Sequence, residues 1–218
     1  MKKSILPLAI LVALSATSFA SAQADDTKSW IFRGTIAHVA PNDDSGPVLG
    51  NDGVSVDSGT ALGLSFTYML DDNWGIEVLA ATPFTHDING TGALAGISIG
   101  ETKQLPPTVS ALYHWGKDTI YHVGAGINYT KFFEEKTSSV LTNALGADST
   151  SLKLDASTGL SIQFGFDTPI NDNWSLSGTI YYKDIDTNAD VYVNGAKATT
   201  VDVQIDPIVL TLGVSTRF

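Results

Sequence analysis

Apolar side chains occupy every other position in the last segment of the chain. Small or polar residues fill the alternate positions, and the apolar series, interrupted at Thr216, consists of Ile208, Leu210, Leu212, Val214 and Phe218. Side chains on a β-strand point alternately to opposite faces, so this segment is apolar on one face and polar on the other. The pattern predicts a strand that ends on the terminal aromatic residue.

Eight alternating segments of this kind are predicted as strands, at about 29–41, 58–70, 74–85, 103–115, 119–133, 152–169, 173–186 and 201–218. Three connections are short, at 71–73, 116–118 and 171–173, whereas the polar, glycine-rich links are longer, at 42–57, 86–102, 134–151 and 187–200. Short turns that alternate with long loops are typical of outer-membrane barrels. The predicted fold is therefore all-β: an eight-stranded antiparallel transmembrane up-and-down β-barrel with short periplasmic turns and long extracellular loops. One or two helical turns are expected at 138–145 in the third loop.

The direction of each side chain follows from the cost of exposing charge to lipid. A basic residue on the lipid face near the bilayer midplane costs about 2–4 kcal/mol, and an acidic one somewhat less. Glu77 must therefore point inward, which places Ile76 and Val78 on the lipid face. Aromatic residues mark membrane interfaces, and four tryptophans fall beside the predicted periplasmic turns or termini: Trp30, Trp74, Trp115 and Trp174. Their common position supports the barrel.

The N-terminal segment predicts export from the cytoplasm. Lys2 and Lys3 precede an apolar run and then small residues ending in an A-x-A sequence, which is the layout of a secretory signal peptide. We expect residues 1–22 to be the signal peptide, cleaved after Ala22 or, as the alternative, Ala24. Residues 23–218 then form a single barrel domain in the bacterial outer membrane, where the insertion machinery recognises a terminal aromatic such as Phe218.

Composition narrows the class of protein further. The chain has no cysteine, so neither disulfides nor thiolate metal sites are available. Its formal net charge of −11 makes nucleic acid an unsuitable partner. No segment after the signal peptide approaches the length of a membrane-spanning helix.

Charged residues are predicted to close the periplasmic end of the barrel. On the assigned faces, five polar residues project into the lumen near that end: Arg33, Glu77, His122, Asp167 and Arg217. An eight-stranded barrel holds little more than its own side chains or one small ligand. Opposite charges buried there should pair, because unpaired burial is costly. We expect a polar plug, which either only fills the barrel or also blocks passage through it.

Farther from the periplasmic turns, the inward positions are predicted to be apolar. They are Leu79, Ala81, Leu112, Tyr181, Ile185 and Val209. Such a lumen would suit an apolar guest, although the same side chains would equally well pack against each other.

Prolines interrupt two neighbouring strands at a similar height. Pro83 lies near the outer end of the third strand, and Pro106 and Pro107 lie near the outer end of the fourth. Proline donates no ladder hydrogen bond, so this part of the wall is a candidate lateral seam into the bilayer. The alternative is that these prolines only end strand pairing beside a loop.

Other chemistries are less well supported. His38, His86, His114 and His122 show no metal-ligand spacing, and the sequence has no G-x-S-x-G, H-E-x-x-H or phosphate-loop motif. We therefore expect no enzyme activity, no cofactor and no metal site. Acidic residues in the first long loop could bind divalent cations or lipopolysaccharide, but a solvated loop accounts for them as well.

Several strings make the chain resemble the outer-membrane protein W (OmpW) family: ALGLSFTYM at 61–69, GIEVLAATPF at 75–84, LPPT at 105–108, VGAGINYTKFF at 123–133, YYKDIDT at 181–187 and IDP at 205–207. The resemblance implies a monomeric eight-stranded barrel with a hydrophobic lumen, associated with uptake of small hydrophobic molecules and lateral release. It also implies a lumen constriction at Leu79 and at Tyr181, where the family has tryptophan. The predicted function is a passive conduit for small hydrophobic molecules among outer-membrane lipids and lipopolysaccharide. A structural, adhesion or receptor barrel and a narrow ion channel are the alternatives.

Overall fold

The computed structural model describes residues 29–42, 44–45 and 53–218, so the predicted signal peptide and its cleavage site lie outside the described residues. In chain order the strands are β1 (Trp30–Ala40), β2 (Asp44–Ser45), β3 (Val54–Val56), β4 (Gly59–Met69), β5 (Trp74–Ala81), β6 (Phe84–Gly90), β7 (Ser98–Leu105), β8 (Thr108–Gly116), β9 (Ile120–Thr137), β10 (Thr150–Leu154), β11 (Ser157–Pro169), β12 (Ser175–Lys183), β13 (Asp186–Val193), β14 (Ala196–Gln204) and β15 (Ile208–Arg217). A short 3-10 helix spans Gly92–Leu94, and helix α1 spans Ser139–Ala144.

Eight of these strands close into an antiparallel barrel. Their order around the wall is β1, β4, β5, β8, β9, β11, β12 and β15, and β15 pairs again with β1. Two backbone hydrogen bonds finish the closure, since Trp30 N donates to Phe218 O at 3.0 Å and Phe218 N donates to Trp30 O at 2.9 Å. The predicted all-β, eight-stranded barrel is confirmed.

The remaining strands continue the wall beyond the barrel, at the end opposite the three short turns. We call the two ends the turn end and the loop end. One loop-end sheet contains β3, β6, β7 and the last part of β9, and the other contains β10, β13, β14 and β2. Together they form the loop-end extension. The helical turns expected at 138–145 are confirmed by α1, where the Ser138 hydroxyl accepts a hydrogen bond from Leu141 N at 3.0 Å.

The long links predicted at 86–102 and 187–200 consist mostly of strands of the extension, whereas 134–151 contains the end of β9, helix α1 and the start of β10. In the barrel wall, the outward side chains are mostly apolar and many of the inward ones are polar. In the extension the alternation is reversed, and apolar residues such as Ile88 and Ala189 are buried while Asp87 and Asn188 are exposed. A strand surrounded by water places its apolar face inward, so its outer face has the polar composition of a loop.

The faces assigned to the barrel wall agree with the structure. Ile76 and Val78, which were assigned to the lipid face, are exposed on the outer surface, whereas Glu77 is buried inside. All four tryptophans lie at the turn end, and the rings of three contact tyrosines of neighbouring strands: Trp30–Tyr68 at 4.9 Å, Trp74–Tyr113 at 5.2 Å and Trp115–Tyr121 at 6.0 Å between ring centroids. No helix among the described residues is long and apolar enough to cross a membrane.

The string Asp-Asn-Trp occurs twice, at 72–74 and 172–174, and the two turns that contain it share one hydrogen-bonding pattern. The Asp71 carboxylate accepts from the backbone N–H groups of Asn73 and Trp74 at 2.8 and 2.7 Å. The Asn171 side-chain oxygen makes the equivalent bonds to Asn173 and Trp174 at 2.9 and 3.0 Å. Short polar side chains that bond the backbone two and three residues ahead favour tight turns, so the repeated string is explained by turn chemistry.

Candidate functional site

A buried charged network crosses the lumen toward the turn end. Arg33 of β1 donates to Glu77 of β5 at 3.1 Å and binds Asp167 of β11 through two nitrogens, Nη2 at 2.7 Å and Nε at 3.3 Å. Arg33 and Glu77 are 2% and 1% exposed. We call Arg33, Glu77 and Asp167 the charged network. Because its members come from three separate strands, they tie opposite parts of the wall together.

Uncharged side chains complete the hydrogen bonding of the two carboxylates. Glu77 accepts from Ser65 at 3.0 Å, Thr67 at 3.2 Å and Gln163 at 2.9 Å, and Asp167 accepts from Ser215 at 2.7 Å. The sequence analysis did not identify these partners. Their inward position on the strands is the only sequence signal that could have pointed to them.

Two residues predicted for the polar plug occupy different positions from the charged network. His122 is fully buried, but its Nδ1 lies 3.9 Å from Asp167 Oδ2, too far for a hydrogen bond, and its Nε2 is 3.3 Å from Thr179 Oγ1. Arg217 is exposed and lines an open cavity of about 670 Å³ at the turn end. The prediction that it is part of a buried plug was wrong, because it is the last residue of β15 and stands at the mouth of the barrel.

An apolar cluster fills the lumen next to the charged network on the loop-end side. Tyr181 and Val209 are buried in it, Leu79 and Ala81 pack against it, and its other buried members are Ala37, Val39 and Phe84. The structure thus brings together four of the residues predicted for the upper lumen, including both residues of the expected constriction.

The other two predicted lumen residues lie at different heights. Leu112 pairs with Gly75 and Gly124, whereas Ser110 pairs with Glu77. On β8, Leu112 is one inward position closer to the turn end than Ser110. It therefore lies on the turn-end side of Glu77, and its assignment to the upper lumen was wrong. Strand β8 runs toward its turn at Gly116, so later residues lie lower. Ile185 belongs instead to the apolar core of the loop-end extension.

A cavity of about 360 Å³ lies inside the loop-end extension. Its lining is almost wholly apolar and comes from both loop-end sheets and α1, with Ile88, Ile99, Phe132, Leu141, Leu154 and Val203 among the residues. Small-molecule sites typically have about this size and composition. We call this space the loop-end cavity. Sequence reasoning missed it because the segments that build it were read as loops.

Three of the few polar residues at the loop-end cavity are His86, Thr102 and Gln104. His86 Nδ1 donates to the backbone oxygen of Asp57 at 2.7 Å, which leaves Nε2 to accept from Gln104 Nε2 at 2.9 Å. Burial lowers the pKa of His86, an effect partly opposed by the hydrogen bond to Asp57. The imidazole is therefore neutral in the folded protein near pH 7.

Strand pairing is interrupted where the prolines lie. Strands β5 and β8 are paired up to Leu79 and Thr108, and pairing resumes with Phe84 and Gln104 of β6 and β7. Residues 80–83 and 105–107 lie between these pairs, and their backbone hydrogen bonds go to other neighbours, as in Thr82 N to Leu62 O at 2.8 Å and Tyr129 N to Pro107 O at 2.9 Å. Because residues 80–83 and 105–107 do not pair with each other, we call them together the unpaired segment. It contains Pro83, Pro106 and Pro107.

Three carboxylates meet where the barrel wall joins the loop-end extension. Asp184, Asp186 and Asp206 each place one oxygen within 4.8 Å of the others. Asp206 also accepts a hydrogen bond from Ile185 N at 3.0 Å, and its φ is 35°. The string DID at 184–186 joins β12 to β13, and the string IDP at 205–207 joins β14 to β15, so their carboxylates form one polar junction. Oxygen donors of this kind suit a hard cation such as Ca²⁺.

The closed barrel, its apolar outer belt and its polar interior define a bacterial outer-membrane β-barrel protein. Residues 27–218 match the model of the OmpW family. The chain is 43% identical to outer membrane protein W of Vibrio cholerae serotype O1 and 37% identical to that of Escherichia coli strain K12, in alignments covering 100% of this chain and 100% and 99% of those proteins. The crystal structure of OprG from Pseudomonas aeruginosa is 38% identical, with a TM-score of 0.78 over 87% of this chain and 95% of that chain. The chain belongs to the OmpW family.

Proposed function

We propose that this barrel is a passive conduit through which small hydrophobic molecules enter from outside the cell and leave sideways into the outer membrane. The observation that carries the proposal is the loop-end cavity, an apolar space in a loop-end extension whose exterior is polar. An apolar molecule would gain about 25 cal/mol for each Å² of its surface that moves from water into such a cavity.

The charged network supports a route that does not continue to the turn end. Arg33, Glu77 and Asp167 fill the lumen with paired charges, and an apolar solute cannot replace those pairs. With the turn end facing the periplasm, as in barrels of this type, passage along the barrel axis would end there. The same filling gives no support to a narrow ion-conducting channel.

The unpaired segment supports a lateral exit. Gln104 lines the loop-end cavity and lies next to residues 105–107. No hydrogen-bond ladder between β5 and β8 has to be broken at this height. A solute could therefore pass from the cavity to lipid at a lower cost here than through a fully paired wall.

Solute entry into cells tests the conduit. A strain that lacks the protein would be complemented with wild type, with Leu79→Glu, or with Val140→Glu as the matched control, and entry of a radiolabelled small hydrophobic solute would be measured. Leu79 packs against the lumen cluster, whereas Val140 is half-exposed on α1. We expect wild type and Val140→Glu to restore entry, and a folded Leu79→Glu to fail.

Equal entry in all strains, including the one without the protein, would contradict the conduit. Attention would then move to the loop-end surface as a receptor or adhesion site. Loss of entry in Val140→Glu but not in Leu79→Glu would have the same meaning. The lateral exit has its own test: Pro106→Ala with Pro107→Ala returns two backbone donors to the unpaired segment, and it should slow entry without removing the cavity.

A further inference from the structure

Lys183 is a buried cation inside the lumen. It is 1% exposed, and its Nζ lies 5.5 Å from the centroid of the Tyr181 ring. A lysine ammonium has three N–H donors, and one of them donates to Thr108 Oγ1. The Thr108 hydroxyl in turn donates to Pro106 O at 3.1 Å. Lys183 thus reaches from β12 across the lumen to the edge of the unpaired segment.

No carboxylate of the described residues lies within 4.0 Å of Lys183 Nζ. The two acids of the lumen are already occupied, since Glu77 accepts from Arg33, Ser65, Thr67 and Gln163 and Asp167 binds Arg33 and Ser215. Lysine is rarely fully buried without a paired anion. Lys183 therefore retains the capacity to bind an anion.

Lys183 lies on the turn-end side of the loop-end cavity, one inward position below Ile185, and neither of these two residues lines the cavity. Inward-facing positions continue through the junction of β12 and β13, so that Tyr181, Lys183 and Ile185 are all buried in one column. Ile185 packs with Phe132, Leu154 and Ile205, which line the cavity. Successive inward residues on a strand are about 7 Å apart, so the head of a molecule whose tail lies in the cavity would reach Nζ by displacing the Ile185 side chain.

We propose that Lys183 binds the carboxylate of an amphipathic monocarboxylate whose apolar tail lies in the loop-end cavity; this rests on the function proposed above. Carboxylate oxygens would accept the two remaining N–H groups in charge-assisted hydrogen bonds. One cation compensates one negative charge, and the lining of the cavity contains no lysine or arginine that could compensate a second. The site therefore selects a monoanion with one hydrocarbon tail, such as a medium-chain fatty acid.

Binding of octanoate and octanol to the protein in phospholipid nanodiscs tests this assignment. The two probes have the same chain length and differ in the head group, and empty nanodiscs give the background of direct partition into lipid. Lys183→Met removes the charge from a side chain of similar length, and Lys183→Arg keeps the charge. Folding of each variant would be verified by its heat-modifiable mobility in gel electrophoresis. If Lys183→Met did not fold, Lys183→Gln would replace it.

We expect Lys183→Met to bind octanoate about tenfold more weakly than wild type, the loss of one charge-assisted interaction, with octanol binding unchanged. Lys183→Arg should retain most of the preference for octanoate. If wild type and Lys183→Met bind octanoate equally well, and octanol also binds, the role of Lys183 is refuted while the conduit stands. If neither probe binds to wild type, the proposed function fails as well.

Discussion

Replacing Arg33 with methionine tests how strongly the charged network holds the barrel together. The change keeps a long side chain but removes the cation that contacts Glu77 at 3.1 Å and Asp167 at 2.7 Å. Arg33 and Glu77 are 2% and 1% exposed, so water cannot take the place of the lost partner. Removing one partner of a buried ion pair costs about 3–5 kcal/mol. We expect Arg33→Met to lower the free energy of unfolding by at least about 3 kcal/mol.

Urea unfolding of the barrel refolded into phospholipid vesicles, followed by tryptophan fluorescence, gives the free energies. Lys103→Met is the matched control, because Lys103 pairs with Glu134 at 2.6 Å with side chains that are 30% and 52% exposed. Exposed pairs contribute less than about 1 kcal/mol. A loss in Arg33→Met no larger than that of the control would refute the reasoning.

A triple variant separates lost charge pairing from lost packing. Arg33→Met leaves Glu77 and Asp167 without their cation, and adding Glu77→Gln and Asp167→Asn removes both charges. Replacing all members of a buried ionic cluster by neutral groups is often tolerated, so the triple variant should recover most of the stability. If it is no more stable than Arg33→Met, the loss arises from packing in the lumen.

Several further changes have expected outcomes. Asp71→Ala removes two hydrogen bonds of a short turn and should lower the urea concentration at the midpoint of the same unfolding assay, and Asn171→Ala should lower it to a similar extent. The pKa of His86 is lowered in the folded protein, so as the pH falls His86 takes up a proton in the unfolded state before it does so in the folded state. The loop-end extension should therefore lose stability as the pH falls below about 6.5. Faster amide exchange in β6 would show this loss, and His86→Gln should remove its pH dependence. Deletion of Phe218, which exchanges two backbone hydrogen bonds with Trp30, should reduce the heat-modifiable, folded fraction recovered from outer membranes.

The barrel wall was predictable because two requirements act on the same residues. A lipid-facing position must be apolar and an inward one small or polar, so each wall strand carries a strong period of two. The charge on Glu77 then determined which face of its strand points into the lumen, and this led to Arg33 and Asp167 as its predicted neighbours. Their exact pairing was not predictable, because the alternation also places Arg217 and His122 on inward positions, and the sequence does not show that Arg217 stands exposed at the mouth.

The loop-end extension was hidden because water replaces lipid around it. The outer faces of its strands are polar, and their residues, such as Asp87, Asn188 and Asp190, are of types that are common in loops. The buried faces are short apolar series that come together only when both loop-end sheets form. Lys183 was hidden for a related reason, since nothing in its neighbours along the chain indicates that Thr108, 75 residues away, is its hydrogen-bond partner.

The position of the charged network constrains any transport function. An eight-stranded barrel has a lumen too narrow for both a bound solute and a displaced set of charged side chains. The network's three members come from three strands, so opening it would require breaking ion pairs to two acids at once. The unpaired segment has no such pairs across it, and its prolines cannot form the missing hydrogen bonds. If the proposed function holds, a solute in the loop-end cavity would therefore meet its lowest barrier at the side of the barrel, where lipid rather than periplasm would receive it.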